Sequence, residues 1–502
     1  MIGVFVVASC SSPSGSGSAA DSEISIALSG GIQQLDPLVT SNGTDMNILT
    51  NVYETLLSMN PDTGELTPNL ATDYDLVDPL TWRFTLREDV EFQDGTPFTA
   101  DDVKYSLDRI KDPATKSTNA ASLALMTETT VVDEHTVEVH FSAPNPTLPL
   151  KMQPFGGSGR IFIVSKKYYE TNPMDQVLNN PMGTGPYKFD SWRKGSSLTL
   201  VKNDDYWGER PPVTKAQFNF ITEPATRLNA LMSGEVDIIE NPPVDDLPRI
   251  ESSTGTHVAS TPNGYVHIIS LDSFTAPFDD IRMREAFSLG VDMDTIVESL
   301  FGDHSEVLPV PLASTALQYD DSIKPHPYDK EKAASLVEDY ESEHGPVKIK
   351  VLMSDGRYAA DRQIFDAINK QLSDIGIEVD ATVMEWGELL TRMFSHTAGA
   401  YVLLGYDFGE HDASKTVDIL TAGFADKLPA DIAELAKESG STIDTDRRTD
   451  VLKKMQRKLH DSFLIPEVWQ NDGLFGVRDG IEWEPTATTI QLTDVVPGST
   501  VR

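Results

Sequence analysis

The amino-acid sequence predicts an α/β fold with more than one lobe. The chain has 502 residues, which exceeds what one hydrophobic core usually supports, so two or three lobes are expected. Residues 348–386 follow the order strand, helix, strand, which is typical of a βαβ unit. Apolar residues make up 39% of the chain and charged residues 24%, which indicates a globular protein.

The first segment in chain order ends at Cys10, the single cysteine. Residues 2–8 are apolar like the core of a signal peptide, and residues 7–10 (Val-Ala-Ser-Cys) resemble a bacterial lipobox, in which the cysteine is acylated. The Ser/Gly-rich residues 11–20 predict a flexible tether. We therefore expect residues 1–23 to be a signal remnant, a lipid attachment at Cys10 and a tether. The alternative is a leftover cysteine in a disordered tail.

The segment before Cys10 lacks the basic region that normally begins a signal peptide. No basic residue precedes Ile2, so we expect the true start to lie upstream of Met1.

Residues 81–110 predict a strand, a turn and a helix. Apolar and polar side chains alternate over 82–86, the period of a half-buried strand, and Asp-Gly at 94–95 is typical of a turn. Thr99 and Asp102 have the spacing of a capping box, so a helix is expected to begin there and to continue to Ile110.

Three later segments also have clear patterns. Residues 222–239 predict a helix that ends at Gly234, followed by a strand at 236–238. In the βαβ unit the second strand is expected at 377–383, in a sheet covered by helices. A last helix is expected at about 446–463.

The charge excludes several classes of partner. Forty Lys and Arg against 78 Asp and Glu give a net charge of −38, which repels nucleic acid and anionic lipid and favours a soluble monomer.

After residue 10 no apolar run reaches the 18 residues of a membrane-spanning helix. A single cysteine excludes an intramolecular disulfide.

Sequence motifs for catalysis or for metal binding are missing. The ten histidines have no H-E-x-x-H spacing, and the chain contains no G-x-S-x-G elbow, no P-loop and no G-x-G-x-x-G after a strand. Adjacent carboxylates such as Asp101 and Asp102 point apart on a helix and do not suggest paired acid–base catalysis. We expect no enzyme activity, no cofactor and no metal.

Several blocks of the sequence resemble one family of binding proteins. The chain is similar to the extracytoplasmic solute-binding proteins of ABC importers, in the large family that includes oligopeptide, dipeptide and nickel binders. The resemblance runs from about residue 24 to 495, and the blocks that carry it are 66–74 with 81–110, 183–192 with 202–208, 233–238, and 277–302.

This resemblance implies a two-lobed periplasmic-binding-protein fold of the class II type. Lobe one is then expected at 24–264 plus 470–502, with an extra subdomain at about 68–175, and lobe two at 265–469. The chain is expected to cross between lobes near 261–270 and 464–472, and ligand is enclosed by hinge closure.

The resemblance also implies a contact for a ligand ammonium group in residues 403–420. Peptide binders of the family use an aspartate there; Asp412 and Asp407 are the candidates, and Tyr406 stands near the usual tryptophan. Ala413 replaces the usual proline. A carboxylate in a solvated loop is the alternative reading for both aspartates.

Three further ligand contacts are expected. Trp386 follows the second strand of the βαβ unit and is a candidate aromatic wall, with a core tryptophan as the alternative. Arg160 is a candidate for a ligand carboxylate, with a surface arginine as the alternative. Gln33 lies in the loop 29–37, which follows the first strand and is expected to open onto the cleft.

The function expected from these residues and from the resemblance is capture of a small solute. A lipid-anchored monomer at the outer face of the cytoplasmic membrane, in the periplasmic space or cell-wall zone, would bind a peptide or related solute and pass it to an ABC permease with its ATPase. The alternatives are a binder of metal chelates, oligosaccharides or other solutes, an extracellular hydrolase, and a module that feeds a signalling partner.

Overall fold

The computed structural model describes residues 22–40, 42–61, 63–154, 160–262, 265–355, 357–394, 397, 399–407, 412–424 and 428–498. The expected lipid attachment at Cys10 and almost all of the expected tether lie outside these residues. The described chain has an α/β fold, as the sequence predicts.

The strands and helices are numbered in chain order. The strands are β1 Glu23–Leu28, β2 Leu57–Met59, β3 Leu66–Pro68, β4 Ala71–Asp78, β5 Thr81–Leu86, β6 Met126–Asp133, β7 Thr136–Phe141, β8 Tyr187–Arg193, β9 Ser197–Lys202, β10 Lys215–Phe220, β11 Ile238–Glu240, β12 Thr256–Thr261, β13 Tyr265–Leu271, β14 Ser305–Val307, β15 Lys348–Met353, β16 Glu378–Val383, β17 Tyr401–Asp407, β18 Glu467–Asn471, β19 Gly473–Arg478, β20 Ile481–Glu482 and β21 Val496–Pro497. The helices are α1 Gly43–Val52, α2 Ala100–Lys111, α3 Leu148–Lys151, α4 Lys166–Thr171, α5 Met174–Asn179, α6 Pro224–Ser233, α7 Leu247–Ser252, α8 Ile281–Gly290, α9 Met293–Phe301, α10 Lys330–His344, α11 Asp361–Asp374, α12 Trp386–Phe394, α13 Ser414–Phe424, α14 Ala430–Ser441 and α15 Thr445–Ser462.

The first sheet has seven strands in the order β12-β19-β11-β1-β10-β9-β8. β1 runs parallel to both of its neighbours, β10 and β11, and pairs Ile26 with Phe218 on one side and with Ile238 on the other. All three of these side chains are fully buried or nearly so, because this part of the sheet is central and both of its faces are covered.

The second sheet has four antiparallel strands in the order β14-β18-β13-β17. The chain passes from the first sheet to the second between β12 and β13, and it returns between β18 and β19. The lobe boundaries themselves stay a prediction.

A third sheet, in the order β4-β5-β7-β6, is built from residues 71–141, inside the range expected for the extra subdomain. Its helix α2 begins with the predicted capping box of Thr99 and Asp102. Val103, Leu107 and Ile110 are fully buried on one face of α2. The strand, turn and helix predicted from 81–110 are therefore confirmed.

The predicted βαβ unit is present as β15, α11 and β16, with β15 and β16 parallel. The predicted environment of its second strand is wrong. β16 belongs to a two-stranded sheet, and its residues are mostly exposed, Val383 among them at 46%. Alternation of apolar residues predicts a strand, but it does not reveal which face of that strand is covered.

Buried apolar side chains form separate cores around the two large sheets. Two clusters draw their fully buried members from residues 24–250 and 474–495, and two others from residues 266–469. Val244 is half-buried and packs against one cluster of each kind. This division of the core supports the proposal of two lobes.

None of the helices in the described part of the chain combines the length and the apolar character that crossing a membrane requires.

Candidate ligand-binding cleft

A cleft of about 860 Å³ is lined by residues from both large sheets and from the second crossing. The first-sheet side includes the ends of β1 and β11 and the start of α1, and the second-sheet side includes β13, β17 and the loop after β15. Parallel strands that end at one edge place their following loops together, which is why ligand sites of α/β proteins lie there.

A buried carboxylate organises the first-sheet side. Glu240 closes β11, and its Oε2 accepts hydrogen bonds from the backbone N–H of Ser29 at 2.9 Å and from the Ser29 hydroxyl at 2.7 Å. Asn47 of α1 donates its amide to Oε1 at 3.5 Å. Because these bonds join β1, β11 and α1, they fix the shape of this side of the cleft.

Aromatic rings form the wall on the second-sheet side. His267 of β13 stacks on Trp469 with ring centroids 5.1 Å apart, and it meets the Tyr358 ring edge to face at 5.3 Å. The Tyr358 hydroxyl accepts a hydrogen bond from the N–H of Gly405 at 3.0 Å. A Cβ at Gly405 would lie 2.9 Å from the Tyr358 ring, so glycine at this position permits the close contact.

Two rings of this wall, those of His267 and Tyr406, stay uncharged near neutral pH because burial disfavours their charged forms. Burial lowers the pKa of His267 to about 4, so its imidazole is neutral. Burial raises the pKa of the Tyr406 phenol to about 12. The wall therefore offers apolar surface and neutral polar atoms to a ligand.

Charged side chains line the rest of the cleft. Arg160 lies on the first-sheet side, and Arg357 and Lys415 lie on the second-sheet side. At the second crossing the Asp472 carboxylate lies 3.4 Å from Nδ1 of His304. Both signs of charge are thus present on the cleft wall.

Among the described side chains, Arg160 and Tyr406 are the expected ligand contacts that lie on the cleft wall. Trp386 does not line the cleft. Its ring lies next to that of Tyr358, which does, with the two ring centroids 6.0 Å apart. Gln33 is exposed and outside the cleft, and its backbone N–H donates to Asp45 at 2.8 Å.

Of the two expected aspartates, Asp412 lies outside the cleft wall, and the side chain of Asp407 lies outside the described residues. Asp407 is the last residue of β17, and its side chain is not among those that the structure describes. Asp412 is 2% exposed and is bound by Arg448 through two N–H donors at 2.7 and 2.8 Å. Burial alone would raise the pKa of the Asp412 carboxyl, but the Arg448 guanidinium more than offsets this and holds that pKa below its usual range.

Sequence reasoning missed Glu240, His267, Arg357 and Tyr358. A signal for the last two was present, because residues 354–360 follow a predicted strand that begins a βαβ unit, and ligand sites lie at such strand ends. No local pattern distinguishes Glu240 or His267 from ordinary strand residues. Across the described residues, no three His, Cys, Asp or Glu side chains come together as a metal site would require.

A family model matches this chain over residues 65–424, and its description is "Bacterial extracellular solute-binding proteins, family 5 Middle". The chain belongs to this family. The match spans much of the cleft wall described above, including Arg160, Glu240 and Tyr406.

Three individual proteins illustrate the similarity. Di/tripeptide-binding protein 2 of Pseudomonas aeruginosa is 26% identical over 442 residues, which is 82% of each chain. The structure of NikA from Brucella suis in complex with Fe(III)-EDTA has a TM-score of 0.85 at 20% identity, covering 95% of this chain and 100% of the other. The structure of DppA from Helicobacter pylori in complex with the peptide STSA has a TM-score of 0.77 at 21% identity, covering 95% and 98%.

These comparisons support the family and fold implied by the blocks in the sequence. The family's description is of extracellular proteins that bind solutes, and the Pseudomonas aeruginosa and Helicobacter pylori relatives are named as binding proteins.

Proposed function

We propose that this protein captures peptides or related small solutes in its cleft and delivers them to an ABC permease. The observation that carries the proposal is the cleft itself, which is lined from two sheets joined by two chain crossings. Its volume of about 860 Å³ lies within the range of roughly 300–1,000 Å³ that is usual for small-molecule sites.

The joint between the sheets supports a closing movement. β12 ends at Thr261 and β13 begins at Tyr265, and Asp472 alone separates β18 from β19, so both crossings are short in sequence. A change in a few backbone dihedrals at short crossings would move one side of the cleft towards the other. A solute that contacts both sides would stabilise the closed form by its differential affinity for that form.

The site residues proposed from the sequence remain part of this proposal in two groups. Arg160 and Tyr406 line the cleft and are proposed as direct contacts, and Trp386 is proposed to support the Tyr358 wall. Asp407 is also proposed as a contact, whereas Gln33 and Asp412 would need a rearranged or closed form to reach a ligand.

Attachment to a membrane through Cys10, residence outside the cytoplasm, and delivery to a permease and ATPase belong to the same proposal. They rest on the lipobox-like residues 7–10 and on the family.

A second candidate ligand class is a metal chelate. It is favoured by the similarity to a structure that holds Fe(III)-EDTA, together with the three cationic side chains on the cleft wall. A chelate and a peptide carboxylate would engage the same N–H donors.

Thermal unfolding with a ligand panel tests the proposal. The panel contains dipeptides, tripeptides, oligosaccharides and Fe(III)-EDTA. A ligand at 100 times its Kd is expected to stabilise the protein by about 2.7 kcal/mol. Peptide binding is expected to give the largest increase in melting temperature.

Two tyrosine variants provide a matched control. Tyr406→Ala removes a ring from the cleft wall and is expected to abolish most of the ligand-induced shift. Tyr328→Ala removes a ring that is 46% exposed and outside the cleft, and it is expected to keep the shift. If no panel member shifts the wild type, the capture function is wrong; if only the chelate or a sugar does, the peptide assignment is wrong.

A further inference from the structure

The cleft has a charge balance that differs from that of the chain. Acidic residues outnumber basic ones by 78 to 40 in the whole sequence. On the described cleft wall, three cationic side chains, Arg160, Arg357 and Lys415, face two carboxylates, Glu240 and Asp472. A site that gathers positive charge in an acidic protein favours an anionic ligand.

Both carboxylates of the cleft wall already have partners in the protein. Ser29 donates two hydrogen bonds to Oε2 of Glu240, at 2.7 and 2.9 Å. The Asp472 carboxylate lies 3.4 Å from the His304 imidazole. An ammonium group of a ligand would have to compete with these groups.

The Arg357 guanidinium is positioned to bind an anion. The guanidinium lies 5.2 Å from the ring centres of both Tyr358 and Trp386, a cation–π arrangement that holds the planar group without using its N–H donors. Within the described parts of the chain it makes no ion pair, and its side chain is exposed. The backbone N–H groups of Arg357 and Tyr358 both donate to Asp361, at 2.8 and 3.1 Å, which fixes the loop.

Arg160 and Arg357 stand on opposite sides of the cleft. Arg160 is 6% exposed and belongs to the first-sheet side, whereas Arg357 precedes α11 on the second-sheet side. One carboxylate bound by each side would bridge the cleft, and the bridge would favour the closed form.

Asp412, one of the two aspartates expected to hold a ligand ammonium, is not available in this geometry. Arg448 occupies both oxygens of Asp412, and Asp412 does not line the cleft. Among the described side chains of the cleft wall, three are cationic, and both carboxylates, Glu240 and Asp472, already contact polar groups of the protein.

We infer that the preferred ligand is a solute with at least two carboxylate groups and no need for a free amino group. The inference rests on the proposed function, because it specifies the chemistry of the solute captured in the same cleft. Peptide-like compounds with acidic side chains and blocked N-termini belong to this class.

Calorimetric titration with three matched compounds tests the inference. The compounds are Ala-Glu, N-acetyl-Ala-Glu, and N-acetyl-Ala-Glu with both carboxyls amidated. The acetylated diacid is expected to bind at least as tightly as the free dipeptide. Amidation is expected to weaken binding by more than about tenfold, because charge-assisted hydrogen bonds are lost.

Arginine variants locate the effect. Arg357→Gln is expected to weaken binding of N-acetyl-Ala-Glu by more than about tenfold. Arg362→Gln is the control, because Arg362 is an exposed residue of α11 that pairs with Asp366 outside the cleft. Melting of the unliganded variants verifies that both remain folded.

The opposite outcomes contradict either the inference alone or the proposed function as well. If Ala-Glu binds at least about tenfold tighter than its acetylated form, a free amino group is required and the inference is overturned while solute capture stands. The same holds if none of the three compounds binds but a neutral peptide of the earlier panel does, or if Arg357→Gln has no effect. If no compound of either panel binds, both proposals fail.

Discussion

The buried ion pair of Asp412 and Arg448 joins two helices that are distant in the chain. Asp412 lies just before α13, separated from it by Ala413, and also accepts the N–H of Ser414 at 2.8 Å, while Arg448 lies in the first turn of α15. Their side chains are 1% and 8% exposed. Removing one partner would leave the other charge buried and unpaired, which typically costs about 3–5 kcal/mol.

Asp412→Ala is therefore expected to lower the free energy of unfolding by about 3–5 kcal/mol in urea titration. Asp431→Ala is the matched control, because Asp431 pairs with Lys458 at the surface, both side chains being more than half exposed. Its cost is expected to stay below about 1 kcal/mol. Unchanged stability of Asp412→Ala, together with much weaker ligand binding, would restore the ammonium-binding role that the sequence suggests for Asp412.

At this scale the sequence predicts the site only in part. Arg160 and Tyr406 were identified by resemblance and do line the cleft. The partner of Asp412 could not be predicted, because Arg448 is 36 positions away and reaches it only through the packing of α15. Glu240 and His267 are also defined by tertiary neighbours, since a buried polar strand residue has no local signature.

Among the elements, the loop that begins at Gly183 shows why part of the family-specific sequence is structural. The N–H of Gly185 donates to the carbonyl of Val52, at the end of α1, at 2.9 Å. A Cβ at Gly183 would lie 2.2 Å from the same carbonyl oxygen and 2.9 Å from the ring of Tyr53. The loop and the helix end can approach this closely only without a side chain at Gly183.

Gly183→Ala is expected to lower the free energy of unfolding by more than about 2 kcal/mol, because the backbone of α1 would have to move. Gly440→Ala provides the control. It lies within α14, and an added Cβ there meets nothing within 4 Å. That variant is expected to gain up to about 1 kcal/mol from helix propensity. Equal effects of the two variants in chemical denaturation would contradict the argument.

The sequence predicts most accurately those helices whose first or last residue is marked by a capping motif. The capping box of α2 and the left-handed Gly234 that ends α6 both follow from chemistry within a few residues. The strand after α6 was expected at 236–238 and is observed at Ile238–Glu240, because its pairing with β1 and β19 sets its limits. The exposed position of β16 likewise depends on the rest of the fold.

For the molecule as a whole, the net charge of −38 is the main unfavourable electrostatic feature. Exposed carboxylates repel one another more strongly in the compact chain than in the unfolded one. Salt shortens the Debye length from about 10 Å at 0.1 M to about 3 Å at 1 M, so it screens this repulsion.

The melting temperature is therefore expected to rise as KCl increases from about 0.1 to 1 M. An uncharged osmolyte, sucrose, at matched osmolality separates screening from preferential exclusion and is expected to give a smaller increase. A melting temperature that is flat or falls with KCl would show that the surface charges do not destabilise the fold.

The strand that completes the first sheet is one of the last to be made. β19 lies between β11 and β12 and bonds to both, yet residues 262–472 separate it from β12 in the chain. Ribosomes add about 5–20 residues per second, so β11 and β12 wait roughly 10 s or longer for this partner. During that time each presents an open edge on which another chain could pair. The two open edges therefore cannot be closed by their native partner until residues 473–478 have been synthesised.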